Sequence, residues 1–201
     1  IKQEKKTSEN GRRPYTYSFN KNSLYVIGVE ILSKFIQLSV FNIYLDNIHT
    51  STDRSFVMSD DKECLDSITS FVENALIDSN INKKNIIGIG IGMREVVKDS
   101  CGELTHFFSE DSISLKKYLE SKIKLSIIID NDSRTIGVAE QTLGIAKGVD
   151  NVLVVKVSRT LGLSIIANNH KVRGSSGAAG SLNHTQFEKG NRLCECGKIG
   201  C

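Results

Sequence analysis

The chain has 201 residues, 39% hydrophobic and 24% charged, a globular balance that excludes a disordered or fibrous protein. No apolar run approaches the roughly 18 residues of a membrane-spanning helix, and Ile1-Lys-Gln-Glu-Lys-Lys lacks the apolar core of an export signal. Net charge is +3, unevenly placed: six cations against two carboxylates give residues 1–22 a charge of +4, leaving −1 for the rest.

Residues 1–23 are polar and hold the only proline, Pro14. They read as a basic linker arm, either a solvated tail or a segment lying close to nucleic acid. Residues 24–31 form a strand pattern with a buried middle. Residues 33–43 alternate through Phe35, Leu38, Val40 and Phe41, and 44–50 give a weaker third strand, so the opening is an antiparallel meander. From 60 to 80 the period becomes helical, with Cys64, Leu65, Ile68, Phe71, Val72, Ala75 and Leu76 on one face and Ser59 or Asp60 as N-cap. A buried strand at 86–91, a helix at 112–122 and a buried strand at 125–129 follow. Asp130-Asn-Asp132 then leads into a helix reaching about Lys147, and 151–157 with 162–167 start another sheet. The order βββαβαβα followed by new strands predicts a mixed α/β sheet. If there are two lobes, they divide near 130–136.

Three of the five cysteines crowd the last eight residues, in His184-x9-Cys194-x-Cys196-x4-Cys201. Thiolate and imidazole are the donors of closed tetrahedral zinc sites, and without an export signal a metal site is the stronger reading than a disulfide framework. A local disulfide or free thiols are the alternatives. Cys64 reads as a core residue of its helix, and Cys101 has no such neighbours.

Arg173-Gly-Ser-Ser-Gly-Ala-Ala-Gly-Ser-Leu-Asn-His184, followed by Cys194-Glu-Cys-Gly-Lys-Ile-Gly-Cys201, resembles the signature of the ROK family (repressors, open reading frames and sugar kinases), R-G-x-x-G-x-A-G-E-x-G-H then C-x-C-G-x-x-G-C. Asp130-Asn-Asp-Ser-Arg134 resembles its E-N-D-A-N motif, with Glu140 at the acidic residue that follows. Gly28-Val-Glu30 stands where its opening G-x-D-x-G-G-T loop would be. Gly11-Arg-Arg-Pro-Tyr15 is similar to the link between winged helix-turn-helix and body in the repressor branch, the xylose and N-acetylglucosamine repressors. The resemblance implies an actin-like, ribonuclease-H-like α/β fold. On it, residues 24–133 would be the N-terminal lobe and 134–201 the start of the C-terminal lobe. It also implies a structural Zn²⁺ held by His184, Cys194, Cys196 and Cys201, and sugar contacts from Asn131, Asp132 and His184.

Departures from the pattern argue against a kinase. Phosphoryl transfer needs glycine-rich loops whose amides cradle phosphates. The first loop reads Glu30-Ile-Leu-Ser-Lys34 and the second Ser158-Arg-Thr-Leu-Gly-Leu-Ser164, in which only Gly162 survives. No nucleotide is expected. Asp132 holds the place of the catalytic base, but the same carboxylate serves a bound hydroxyl without chemistry, or merely caps the next helix. Ser181 replaces an acidic sugar ligand, Asn183 a glycine, and Met93-Arg-Glu95 a P-G-P turn. Arg134 replaces an Asn; for it and Arg159 an exposed charge is the alternative reading.

The expectation is the cytoplasmic, sugar-sensing body of a ROK-type repressor, homodimeric or homotetrameric when intact, that acts on DNA. Its helix-turn-helix would precede Ile1 and the rest of its second lobe would follow Cys201, with zinc occupancy incomplete in the piece. The rival is an ATP-dependent kinase of a hexose or N-acetylhexosamine, with Asp132 as base. A member that senses no sugar is a third reading.

Overall fold

The computed structural model describes residues 2–5, 15–98, 103–104, 108, 114–158, 160–186, 190–194 and 197–201. Within the span read as a linker, β1 (Lys2–Lys5) and β2 (Tyr15–Ser18) pair as an antiparallel ribbon. Residues 11–14, with Pro14, lie outside the described residues.

Alternation then builds the main sheet. In β3 (Tyr25–Leu32) the odd positions Tyr25, Ile27, Val29 and Ile31 are buried, as a period of two requires. A two-residue turn at Ser33 and Lys34 leads to β4 (Phe35–Asn42), with Leu32 opposite Phe35. The third strand, β5 (Asn47–Asp53), begins later than residue 44. The buried Asn42 side chain accepts the N–H groups of Tyr44 and Asp46, and Leu45 takes a φ of 65°, so this stretch is a turn.

Helix α1 (Lys62–Asp78) starts one residue beyond the expected caps: Asp61 accepts the Cys64 N–H at 2.7 Å, while Asp60 accepts that of Phe108. Its apolar stripe, Cys64, Leu65, Ile68, Val72 and Ala75, is buried. β6 (Ile86–Met93) runs parallel to β3. β7 (Val97–Lys98) and β8 (Glu103–Leu104) form a small antiparallel pair, and α2 (Leu115–Ile123) leads to β9 (Ile127–Asn131), parallel to β6. The sheet order is β5-β4-β3-β6-β9. Each parallel step is bridged by a helix, as parallel pairing demands. Leu115, Leu119 and Ile123 of α2 join the same core as α1 and the odd positions of β3. Full burial of each such side chain contributes roughly 1.5–3 kcal/mol.

Helix α3 (Asp132–Thr142) begins directly at the end of β9. It ends five residues before Lys147, because Leu143 and Gly144 donate back to the carbonyls of Ala139 and Glu140 while the Glu140 carboxylate takes the Ile145 N–H. β10 (Val152–Val157), β11 (Leu161–Ala167) and β12 (His170–Lys171) form a second, antiparallel sheet against which α3 packs. The approach is close: a Cβ on Gly137 of α3 would stand 2.0 Å from Ser164 Oγ of β11. A glycine-rich loop, a 3₁₀ turn at Leu182–His184 and a bridge between Leu193 and Ile199 complete the described chain.

Candidate functional site

The β9–α3 junction supplies the central side chains. Asn131 is the N-cap of α3, its Oδ1 accepting from the N–H groups of Ser133 at 3.0 Å and Arg134 at 3.3 Å. Its Nδ2 donates to the Glu95 carbonyl at 3.0 Å. Asp132 is buried; Oδ1 accepts from Ser133, and Oδ2 takes Lys156 Nζ of β10 at 2.7 Å. A substrate or effector hydroxyl reaching Asp132 therefore competes with an ammonium already in place.

These residues line a cleft of about 530 Å³ together with Arg94, Glu95, Ser181, Asn183, His184 and Cys194. Asn131, Asp132 and His184, the three residues named as sugar contacts, thus border one cavity. Both turns that stand where phosphate loops were sought are tight hairpins. Ser33 and Lys34 close the first, and Ser158 N–H to Thr160 O spans the second; Arg159 lies outside the described residues. The retained Gly162 has a packing reason. A Cβ there would lie 1.9 Å from Ser133 Oγ, so a side chain at 162 collides with the first turn of α3.

Arg134 is not an exposed charge. It is 2% exposed, among the largest fully buried side chains. Its Nε donates to Asp130 Oδ1 at 2.7 Å, Nη1 to the Gly177 carbonyl at 2.5 Å, and Nη2 to the Val97 carbonyl at 3.3 Å. One guanidinium therefore joins the end of β9, the start of β7 and the glycine loop before His184. Gly177 can come this near because it has φ +75° and no Cβ, which would stand 2.3 Å from Val97 O. Asp130 Oδ2 also receives Lys171 Nζ and, at 3.0 Å, Arg173 Nη2. Burial acts to raise the Asp130 carboxyl pKa, but the hydrogen bonds of Lys171 and Arg134 and the Arg134 charge together hold it below the ordinary value. This cluster was missed in the sequence. The available signal was that the family's Glu and Asn are Asp130 and Arg134 here, opposite charges one helical turn apart.

His184, Cys194 and Cys201 offer donor atoms that all lie within 4.8 Å of one another, each half-buried. Cys194 Sγ stands 3.7 Å from His184 Nδ1. Tetrahedral zinc with its usual bond lengths separates sulfur and nitrogen by roughly 3.6 Å, so this nitrogen–thiolate set fits such an ion. The Cys194 turn is held by N–H bonds from Cys194 to Lys198 O and from Gly197 to Cys194 O. Cys196 lies outside the described residues. Cys64 is buried among the core side chains. No helix of the described chain is long and apolar enough to cross a membrane.

A family model described as ROK family matches residues 26–201. The xylose repressor of Bacillus subtilis (strain 168) is 27% identical over 203 residues, covering 96% of this chain and 50% of that protein. The chain spans about half the length of the curated relatives it matches. Among solved structures, a ROK family glucokinase from Streptomyces griseus in complex with glucose and AMPPNP superposes with a TM-score of 0.74 at 25% identity, over 88% of this chain and 55% of that one. A ROK family transcriptional regulator, a homologue of the E. coli MLC protein, shares the fold with a TM-score of 0.75 at 17% identity, over 94% and 48%.

Proposed function

The chain belongs to the ROK family, and from that premise we propose that it is the effector-sensing body of a sugar-responsive transcriptional repressor without kinase activity. The observation that carries this reading is the ion pair of Lys156 with Asp132 in the cleft. A catalytic base needs an oxygen within reach of the substrate hydroxyl. Here one oxygen serves the helix and the other an ammonium from the strand leading into the second hairpin. Neither hairpin supplies a run of glycines for phosphate. The same arrangement still suits binding, since a sugar hydroxyl can share Asp132 with Lys156, while Asn131 retains an amide hydrogen beyond the one given to Glu95.

On this reading the two sheets are the facing parts of two lobes, residues 24–133 and 134–201, preceded by a basic arm from a DNA-binding domain. A structural zinc would be held by His184, Cys194, Cys201 and Cys196. When bound it cross-links the loop that carries His184, and this chain's contribution is to fix the cleft wall beside Ser181 and Asn183. The effector shifts a dimer or tetramer between DNA-bound and released states only by its unequal affinity for them. Kinship with both a xylose repressor and a glucokinase structure keeps one rival in view: a sugar kinase using Asp132, which lies in the cleft as that reaction requires.

The full-length protein is expected to bind DNA from its own promoter region and to release it with one sugar of a hexose, pentose and N-acetylhexosamine panel. Absence of specific DNA binding overturns the proposal. Metal analysis of the same protein is expected to give about one zinc per chain, lost on Cys201→Ser.

A further inference from the structure

We infer that Asp130, Arg134, Lys171 and Arg173 form a fixed brace across the joint between the two sheets, so that the cleft keeps one width and a ligand enters it without a closing movement. This concerns how the two halves are held; it goes beyond the sensor reading and does not depend on it.

The chain passes from the main sheet to the second sheet where β9 runs into α3, with no linker between them. Helix α3 then packs on β10 and β11. Hinges turn at a few residues at the ends of elements, and a bare junction here would let α3 and the second sheet swing together about Asn131. Three sets of contacts cross that joint. Arg134, in the first turn of α3, reaches back to Asp130 at the end of β9 and to the Val97 carbonyl at the start of β7. Lys171 of β12 and Arg173 just beyond it reach the same Asp130 from the second sheet. The glycine loop is seated on both sides. Gly177 takes Arg134 Nη1 on its carbonyl and lies against Val97. Gly180, with φ +87°, lies against β11, where a Cβ would stand 2.0 Å from Leu163 O.

Contacts of this kind hold an angle. The Asp130 and Arg134 side chains are only 6% and 2% exposed. A swing of the second sheet would take Lys171 and Arg173 from a buried carboxylate and the Gly177 carbonyl from a buried guanidinium. Water does not reach groups so enclosed, so each would be left unpaired, and that is costly. The span also depends on the length of Arg134: the Asn of the E-N-D-A-N pattern is too short to reach both carbonyls. The cleft has Asn131, Asp132 and Ser133 on one side of this joint and Gly177, Gly180 and Ser181 on the other. A fixed joint therefore fixes their spacing.

The test is a pulsed electron-resonance distance measurement on the full-length protein. Spin-labelled amino acids that do not use cysteine are placed at Thr52 of β5 and Ala139 of α3, both exposed. The parent is measured alone and with xylose, glucose and N-acetylglucosamine in turn. It is expected to give one narrow distance, unchanged within about 1 Å by any of them. Arg134→Asn is expected to broaden the distribution or shift it by more than about 2 Å. The pair Lys171→Met with Arg173→Gln, which leaves Arg134 in place, should do so to a smaller degree, and it decides the matter where Arg134→Asn does not fold. A cluster that only adds stability would lower the unfolding midpoint of these variants and leave the distance in the folded chain alone. Two populations in the parent, a shift above about 2 Å with any of the sugars, or folded variants that keep the parent's distribution overturn the inference. The ligand-free result stands whether or not a sugar binds, so it is separate from the fate of the sensor reading.

Discussion

Asp130 and Asp132 leave the same strand end two residues apart, yet they belong to different regions. Asp130 sits in the interior cluster, where three cations converge on it and one of them, Arg134, also holds two backbone carbonyls. Asp132 borders the cleft and has a single, partly exposed cation, Lys156. Both carboxylates are buried, so burial alone does not distinguish scaffold from site. The number of committed partners does. A saturated buried carboxylate holds walls together; one with a single exchangeable partner in a cavity is available to a ligand.

Two substitutions press on that contrast. Arg134→Met leaves two buried carbonyls without their donor and takes one of three cations from Asp130, and is expected to cost about 2–4 kcal/mol, read from the urea unfolding midpoint. Asp132→Asn keeps the shape and faces a lysine that can turn to water, so its cost should be about 1 kcal/mol, while effector binding is lost. Equal destabilisation by the two would dissolve the distinction. Gly162→Ala probes the junction from β11. It should cost about 1–3 kcal/mol by overpacking, and Ser133→Ala, which removes the nearest atom, should restore part of that. If Gly162→Ala instead leaves stability untouched, the glycine is not kept for packing against Ser133.

The smallest effect is with pH. Asp130 has a lowered carboxyl pKa in the folded chain, so the unfolded chain binds more protons in acid. Its contribution to stability is present above the unfolded value near 3.9 and is lost as pH falls through the folded value. Unfolding measured below about pH 4 should be less steeply acid-dependent in Asp130→Asn than in the parent.

The main sheet was legible because its signals are local. The odd positions of β3 and the three- and four-residue steps of α1 carry their burial in their own spacing. The misses came where a residue's partner decides its state. Asn42 closes a turn where a strand was expected, and Glu140 ends α3 early by accepting from Ile145. Arg134 read as a possible exposed charge because its partners Val97 and Gly177 lie about forty residues to either side. The cleft was half legible. The family resemblance named Asn131, Asp132 and His184, which do line one cavity, but nothing near Asp132 in the chain announces Lys156.

In the sensor, Asp132 serves a bound ligand without chemistry. The direct measurement is ATP-dependent phosphorylation by the full-length protein of each sugar or derivative that calorimetry finds bound. The expected result is no turnover above the protein-free control, with binding abolished in Asp132→Asn. Turnover that disappears in Asp132→Asn would contradict it and make the protein a kinase.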